Sequence, residues 1–464
     1  MKKFISLSLV TTAMLVNASE TNTLEPISVV ETANSEIVKD VSDEQLKSAD
    51  LAEALSKNVP SVSIVRRSGI ANDIILRGQK KDNINILLDN AKIYGACPNR
   101  MDPATSHVLT NNIKSVKVIE GPYDVENFGT LSGLVKVETK EPTKDVHGEV
   151  NLNAGSFGYK KASATVSGGT DRVKLLVSTS TEEGDQYEDG NGNDFTEQQI
   201  EKGFASSRLY SNPEQEAFEK KTILTKGQFN INDDSELKLS YTANRSDNIL
   251  YPAGSMDADY DDSNIYTVGY TARNLGNYSK ELNLDYYYSN VDHPMSTKLR
   301  DSGATYNTAH YKTSIWGSKI KNAFEVSDSL VTVGLDTSVR NWRGENYTTN
   351  RATAIETYTG SSLASTDTTN KAIFTKIGKS FGDLDLETGL RYDYTDIDSS
   401  DNSKEDKKYI ALNGNIFAIY NVDENMKYFA GVGKSSRVPD ARELYTTGMG
   451  AKGNKDLEDV KNYE

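Results

Sequence analysis

The sequence predicts an outer-membrane β-barrel preceded by a compact α+β domain, and three observations support this fold class. The chain begins with the pattern of a secretory signal peptide. Tyrosine is used heavily, with 25 residues against 12 phenylalanines and 2 tryptophans, at a mean hydropathy of −0.58. From Val146 onward, short segments alternate polar and apolar residues, as the strands of a membrane barrel require. Composition alone also fits a secreted β-sandwich or a β-helix, so the order of elements along the chain must decide.

Residues 1–18 match a cleavable export signal. Lys2 and Lys3 precede an apolar run from Phe4 to Val16, and the small residue Ala18 follows. The run is shorter than the roughly 20 residues of a membrane-spanning helix; a buried cytoplasmic helix is the alternative. Cleavage after Ala18 leaves 50 basic against 67 acidic residues, a net charge of −17. This balance argues against a nucleic-acid partner, which would require a basic face.

Residues 19–40 contain few large apolar side chains and predict a flexible N-terminal segment. Within this segment, Glu25–Ala33 is a short β-prone island. Such an island can add as a strand to the sheet edge of a partner. It can equally be a frayed first strand of the following domain, and the residues alone leave both interpretations open.

Residues 41–142 predict the α+β domain. A helix is expected within Ser48–Ser56, with Ser48 or Asp50 as its cap. Four short β-prone runs are expected as strands: Val62–Val65, Asp73–Arg77, Ile84–Leu88 and Ser115–Ile119. The loop Tyr94–Pro103 leaves this small sheet and carries Cys97, the only cysteine of the chain. An unpaired cysteine in an exported protein indicates a reactive thiol, an intermolecular bridge or a metal ligand.

Residues 146–464 predict the barrel, with about fourteen strands of about ten residues each. The clearest strands are Glu149–Gly155, Lys161–Gly168, Val173–Ser180, Glu236–Arg245, Lys280–Ser289, Leu330–Arg340, Ala372–Ser380, Asp385–Tyr394, Ile410–Asn421 and Lys427–Ser435. Three acidic segments between strands are expected as outer loops: Gly184–Asn193, Ala253–Asn264 and Asp396–Asp406. Solvation explains such loops better than Ca²⁺ binding, which needs converging oxygen ligands.

Two pairs of soft donors stand out, Cys97 with Met101 and His293 with Met295. In Lys280–Ser289 the apolar residues occupy even positions and the polar residues odd positions, so odd positions face the lumen of a barrel. The same parity directs His293 and Met295 into the lumen, unless Pro294 breaks the register. There the pair would face the loop that carries the other two donors.

Thiolate and thioether donors with one imidazole favour Cu(I) over hard cations. Zn²⁺ could use the thiolate and the imidazole, but thioethers are poor ligands for it. Each residue alone is ordinarily structural, since a methionine is usually a core gap filler. The mature chain, however, has only five methionines and four histidines, and two of those methionines fall in these motifs. His107, His147 and His310 lack such neighbours and are expected to be structural.

The α+β domain resembles the plug of TonB-dependent outer-membrane receptors. The matching segments are Ile74–Gly78, Ile86–Asp89, Ile113–Pro122, Asn127–Gly129, Leu131–Gly133 and Val137–Pro142, with Gly433–Tyr445 in the barrel. The resemblance implies a plugged antiparallel barrel of 22 strands in the bacterial outer membrane, surrounded by its lipid. The implied protein is a transporter rather than an enzyme.

The resemblance also implies an energising partner, TonB with its ExbB/ExbD complex. The island Glu25–Ala33 lies where the family has its TonB box, which assigns that role to Ile27, Ser28, Val29, Val30 and Glu31. Because fourteen strands fall short of 22, the sequence is expected to be a C-terminally truncated receptor. An open sheet edge in lipid leaves backbone groups unsatisfied, so this chain alone is not expected to form a stable barrel.

Within the family, Ala96–Pro103 and His293-Pro294-Met295 resemble the copper receptors of the OprC/NosA type, as does Tyr251–Asp257. By that resemblance Cys97, Met101, His293 and Met295 would bind the transported copper ion, and Met256 receives no ligand role. The Cys97 and Met295 sulfur atoms should then lie within about 5 Å of each other, at about 2.3 Å per metal–sulfur bond. Two alternatives remain: a receptor for a siderophore-type metal chelate, and a surface barrel fragment that transports nothing.

Overall fold

The structure is a computed structural model that describes residues 35–39, 50–423, 426–446 and 452–464. The predicted signal peptide, residues 1–18, and the predicted TonB box, Ile27–Glu31, lie outside the described residues. Within the described residues the chain forms a small α+β domain followed by one large antiparallel sheet. No helix of this part of the chain is both long enough and apolar enough to cross a membrane.

The α+β domain contains one helix and eight strands. Helix α1 spans Leu51–Asn58, and the Asp50 side chain caps it by accepting a hydrogen bond from the backbone N–H of Ala52. The strands are β1 (Ser35–Lys39), β2 (Val62–Val65), β3 (Asp73–Leu76), β4 (Gln79–Lys80), β5 (Ile84–Leu88), β6 (Ala91–Lys92), β7 (Ile113–Glu120) and β8 (Gly133–Thr139). Short 3₁₀ helices occur at Lys81–Asn83, Ala104–His107 and Thr110–Asn112.

The eight strands form two sheets, in the orders β1-β7-β8-β5-β6 and β2-β3-β4. All neighbouring pairs are antiparallel except β5 and β8, which are parallel. Strand β1 is a departure from the sequence prediction, because residues 19–40 were expected to be flexible. Ser35–Lys39 instead pairs with the edge of β7, from Ser35 opposite Ile119 to Lys39 opposite Ser115.

The large sheet contains fourteen strands, which is the number that the sequence predicted. They are β9 (His147–Ala154), β10 (Lys160–Gly169), β11 (Val173–Gly184), β12 (Phe218–Asn232), β13 (Ser235–Ile249), β14 (Asp257–Arg273), β15 (Ser279–Ser296), β16 (Thr305–Val326), β17 (Ser329–Asn350), β18 (Glu356–Phe381), β19 (Leu384–Ser399), β20 (Lys407–Asn421), β21 (Lys427–Arg437) and β22 (Val460–Tyr463). Each strand pairs with the next one along the chain, and β9 and β22 are the two edges. Two short helices, α2 (Phe195–Glu201) and α3 (Ala441–Tyr445), lie in the connections.

Strands in the middle of the sheet are longer than the ten residues expected, and this lengthening overturns part of the loop prediction. Gly184–Asn193 follows the prediction, since β11 ends at Gly184. Ala253–Asn264 does not, because β14 already begins at Asp257. Asp396–Asp406 is also strand at its start, since β19 continues to Ser399. The physical reason is that Asp257 and Asp261 are buried against other elements rather than solvated.

The two faces of the large sheet have opposite polarity. In β10 the polar residues Lys161, Ser163 and Thr165 are buried inside, whereas Val166 is 55% exposed on the outside. On β9, Val150 and Leu152 are likewise exposed outside. An apolar exterior around a polar interior is the arrangement of a barrel wall in lipid. The α+β domain occupies the polar interior and is therefore its plug.

Two apolar clusters organise the described interior. One is the core of the plug itself, built from α1 and the strands around it. The other crosses from the plug to the barrel and includes Cys97 and Met101 from the plug loop with Val291 and Met295 from β15. The predicted donor residues therefore lie at the contact between the two parts of the molecule.

Candidate metal site between the plug and the barrel

The plug loop Tyr94–Pro103 is shaped by one carboxylate. Asp102 accepts hydrogen bonds from the backbone N–H groups of Ala96 and Cys97, at 2.5 and 2.8 Å. The chain reverses direction in this loop at a turn, in which the backbone N–H of Arg100 donates to the Cys97 carbonyl at 2.9 Å. Gly95 is required beside it, because a Cβ there would lie 2.0 Å from the carbonyl oxygen of Asp102. These contacts fix the direction of the Cys97 side chain.

Barrel side chains attach the same loop to the wall. The Trp342 indole N–H donates to the Ala96 carbonyl at 2.8 Å, and the Tyr251 hydroxyl donates to the Met101 carbonyl. Arg442, in α3, donates to the Pro98 carbonyl. The plug and the barrel therefore share hydrogen bonds on both sides of Cys97.

The second pair of donors lies on β15, with the side-chain direction that the sequence predicted. Leu284 and Tyr286 are exposed on the outside, at 39% and 47%. His293 and Met295 point inward and are 0% and 1% exposed. Pro294 does not break the strand, since it remains paired with His310 on β16. The prediction that these odd positions of β15 face the lumen is confirmed.

A β-bulge in β14 lies directly opposite this pair. Ala258 pairs with Met295 and Asp262 pairs with Asp292, so three residues of β14 oppose two residues of β15. Asp261 lies at this bulge and faces inward, at the same parity as the buried Ser263 and Ile265, and it is 2% exposed. Its Oδ1 lies 3.2 Å from Nδ1 of His293.

The structure brings the donors from the two parts of the chain together. The Cys97 Sγ and Met295 Sδ atoms are 3.8 Å apart, within the separation expected for two sulfur ligands of one ion. Donor atoms of Cys97, Asp102 and His293 all lie within 4.8 Å of one another. Met101 is 9% exposed and belongs to the same apolar cluster as the two sulfur groups.

Three further side chains at this place were not predicted from the sequence: Asp102, Asp261 and His107. Asp261 holds His293 through Nδ1, while Nε2 of His293 is buried and makes no hydrogen bond of regular geometry with any described residue. A metal-ligating histidine commonly has one ring nitrogen held by a carboxylate and the other directed at the ion. The sequence did not predict a role for Asp261, because the acidic segment around it has the composition of a solvated loop.

The carboxylate of Asp102 is buried, and burial raises its pKa although His293 and the backbone N–H of Ala96 act in the opposite direction. Its two hydrogen bonds to the loop replace part of the hydration that burial removes. Asp102 is therefore a buried charged group that finds its partners within the protein.

The segment Tyr251–Asp257 supports the site from outside the donor set. Asp257 accepts hydrogen bonds from the backbone N–H of Tyr251, at 2.8 Å, and from the Tyr210 hydroxyl, at 2.9 Å. Arg300 is fully buried and its Nε lies 2.5 Å from the same carboxylate. Met256 packs against the apolar cluster.

Two family models match the chain. The model for the TonB dependent receptor-like β-barrel matches residues 153–464, and the model for the TonB-dependent receptor plug domain matches residues 28–133. The chain therefore belongs to the TonB-dependent receptor family, whose members are outer-membrane transporters and not enzymes. No curated protein sequence matches it.

Solved structures of similar fold include the copper transporter OprC, at 20% identity and a TM-score of 0.81, covering 93% of this chain and 68% of that one. The FrpB iron transporter from Neisseria meningitidis is 17% identical with a TM-score of 0.66, covering 88% and 66%. The siderophore receptor PirA from Acinetobacter baumannii is 14% identical with a TM-score of 0.68, covering 93% and 67%. The chain thus spans about two thirds of the length of these structures.

Proposed function

We propose that this receptor binds copper, as Cu(I), between its plug and its barrel and imports it into the periplasm. The observation that carries the proposal is the 3.8 Å separation of the Cys97 and Met295 sulfur atoms, which belong to different parts of the fold. Cys97, Met101, His293 and Met295 are the proposed ligands. A thiolate, two thioethers and an imidazole form a donor set that suits Cu(I).

Burial supports a monovalent ion at this position. One thiolate neutralises the single charge of Cu(I), which limits the cost of removing the ion from water. The free Nε2 of His293 supplies the nitrogen donor, and Asp261 holds its ring in orientation. The similarity in fold to the copper transporter OprC adds to this support, although iron and siderophore receptors share the fold as well.

The proposed release step is a separation of the two pairs of ligands. A buried site with four soft ligands dissociates slowly, because tight binding is mostly expressed as a slow off-rate. TonB, energised by ExbB/ExbD, would bind the TonB box at Ile27–Glu31 and pull on the plug. Movement of the plug loop would withdraw Cys97 and Met101 from His293 and Met295, which stay on the wall.

The test is copper binding by the purified chain and by four variants, Cys97→Ala, Met101→Ala, His293→Ala and Met295→Ala. We expect one Cu(I) per chain, with the largest loss of affinity in Cys97→Ala, at least about 100-fold, because even partners outside the ligand set change affinity 10–100-fold. Matched controls are Met426→Ala, at an exposed methionine, and His147→Ala, at an exposed histidine on β9. Unchanged copper stoichiometry in all four variants would refute the assignment.

Measurements of uptake by cells distinguish transport from binding alone, and they distinguish copper from a metal chelate as the cargo. Cells that carry the receptor should accumulate copper, and deletion of residues 25–33 should abolish accumulation without changing copper binding in vitro. A receptor for a metal chelate would instead retain siderophore uptake in Cys97→Ala and contain no copper when purified. If the protein is a surface barrel that transports nothing, the deletion should have no effect on uptake.

A further inference from the structure

A second group of donor atoms lies beside the proposed copper site. It consists of Asp102 on the plug loop, His107 at the end of the 3₁₀ helix Ala104–His107, and Asp261 in the bulge of β14. Their donor atoms all lie within 4.8 Å of one another, and the three residues are 0%, 0% and 2% exposed. The group contains no sulfur, and it joins two plug residues to one barrel residue.

The buried imidazole of His107 is an independent observation that indicates a bound ligand at this position. Neither of its ring nitrogens has a hydrogen-bond partner among the residues that the structure describes, although the whole side chain is buried. The nearest acidic oxygen, Oδ2 of Asp261, is 3.8 Å from Nδ1, beyond hydrogen-bond distance. Buried polar groups are nearly always satisfied, so an imidazole with two unused nitrogens requires a ligand, an ion or a water molecule.

We propose that Asp102, His107 and Asp261 form a second cation position, which takes a divalent ion of intermediate softness such as Zn²⁺ or Co²⁺. Two carboxylates neutralise the two charges of such an ion, and an imidazole is a preferred ligand of Zn²⁺ and related metals. The same donors suit Cu(I) poorly, because none of them is a thiolate or a thioether. The proposal does not depend on the copper assignment, since no sulfur group takes part.

The geometry fits an ion after a small contraction. Nitrogen and oxygen ligands bind Zn²⁺ at about 2.0–2.2 Å, so two ligands of one ion lie no more than about 4.4 Å apart. Donor atoms within 4.8 Å of one another therefore need to approach by a few tenths of an ångström. Lys220, the buried cation nearby, has its ammonium group committed to the Ser106 carbonyl at 2.8 Å.

Asp102 belongs to both donor groups, and Asp261 contacts both His107 and His293. The two positions are therefore adjacent and joined by carboxylates. An ion at the second position would hold the plug to β14 through Asp261, independently of His293 and Met295 on β15. The receptor would accordingly bind a divalent ion even when its thiol is removed.

Absorbance of bound Co²⁺ tests this proposal on the full chain in detergent, in a Cys97→Ala background that eliminates thiolate-to-metal charge-transfer bands. We expect one Co²⁺ per chain with a d–d spectrum of nitrogen and oxygen ligands. Adding His107→Ala to this background should weaken Co²⁺ binding at least about 100-fold relative to Cys97→Ala alone, as loss of a ligand exceeds the 10–100-fold effect of outer partners. Adding His147→Ala, the exposed control, should leave it unchanged. Equal Co²⁺ binding in the His107 variant, or none in the background, overturns the proposal.

A second measurement leaves His107 unsubstituted, so a folding defect of the His107→Ala variant cannot affect its result. The chain has only four histidines, so NMR of ring-labelled histidine in the Cys97→Ala protein can follow each one during a Zn²⁺ titration. We expect the His107 signals to shift with one equivalent of Zn²⁺, and unshifted signals contradict the proposal. Cu(I) stoichiometry in His107→Ala, compared with Cys97→Ala, reports separately on the proposed function, so failure of one assignment does not imply failure of the other.

Discussion

The two halves of the proposed copper site are held by different kinds of bond. Cys97 and Met101 lie on an irregular loop whose form depends on a few side-chain contacts, chiefly those of Asp102 and Trp342. His293 and Met295 lie on β15, which pairs with β16 through both residues and with β14 on either side of the bulge. One half therefore rests on a handful of replaceable hydrogen bonds and the other on the backbone ladder of a sheet.

This difference indicates which half can move. A loop held by few bonds opens locally at a small fraction of the free energy needed to open a paired strand, and mobile functional segments come from that low-stability end of the structure. The wall can then keep His293 and Met295 in place while the plug loop withdraws. Four substitutions test this contrast, and they follow in order of decreasing expected effect.

The first substitution is Asp102→Ala, which leaves the buried N–H groups of Ala96 and Cys97 without an acceptor. Hydrogen bonds to a charged group contribute about 1.5–3 kcal/mol each, so the loss of two should cost the loop about 3–6 kcal/mol of local stability. Hydrogen exchange should accelerate at Ala96 and Cys97 while the amides of β15 remain protected. Asp102→Asn retains one acceptor oxygen and should be intermediate. Equal acceleration in β15 would contradict the contrast between the halves.

The second substitution is Gly95→Ala. The new Cβ would lie 2.0 Å from the Asp102 carbonyl oxygen, a backbone atom that cannot yield without moving the loop. Overpacking of this kind costs about 1–3 kcal/mol, so thermal stability and copper affinity should both fall. Gly190→Ala is the matched control, because nothing lies within 4 Å of the place that its Cβ would occupy and no stability should be lost. Equal melting temperatures for the two variants would show that the close approach at Gly95 is unimportant.

The third substitution is Trp342→Phe, which removes the hydrogen bond to the Ala96 carbonyl but keeps an aromatic ring. A single neutral hydrogen bond contributes about 1 kcal/mol, so copper affinity should fall by less than about tenfold. The other tryptophan, Trp316, is 40% exposed on the outside of the barrel, and Trp316→Phe should leave copper affinity unaltered. Isothermal titration of both variants measures the difference. An effect as large as that of Asp102→Ala would mean that the wall, and not the carboxylate, shapes the loop.

The smallest effect is expected for Met256→Leu. Met256 packs against the apolar cluster without belonging to the proposed ligands. A volume-conserving replacement of this kind costs less than about 1.5 kcal/mol, and copper affinity should stay within about twofold of that of the unsubstituted protein. Met295→Leu, the same replacement at a proposed ligand, should weaken copper binding strongly. Similar losses in both variants would place Met256 among the ligands.

Much of the fold followed from local patterns, because membrane strands alternate with a period of two wherever one face meets lipid. The count of fourteen strands and the inward direction of His293 and Met295 both came from that period. The acidic segment Ala253–Asn264 was assigned wrongly for a related reason. Carboxylates that face a polar plug have the same sequence pattern as carboxylates that face water, so periodicity cannot separate the two.

The sequence by itself determined the types of donor residue: a lone cysteine near a methionine, and a histidine two positions before a methionine on one strand. It also determined that the histidine and the second methionine point to the same face of that strand. Only the tertiary structure decided that Asp102, His107 and Asp261 meet there. Asp261 faces inward from β14 beside the bulge, and docking of the plug supplies the other two. These contacts join residues more than a hundred positions apart, and they arise from packing between the plug and the wall, which no local pattern of side chains encodes.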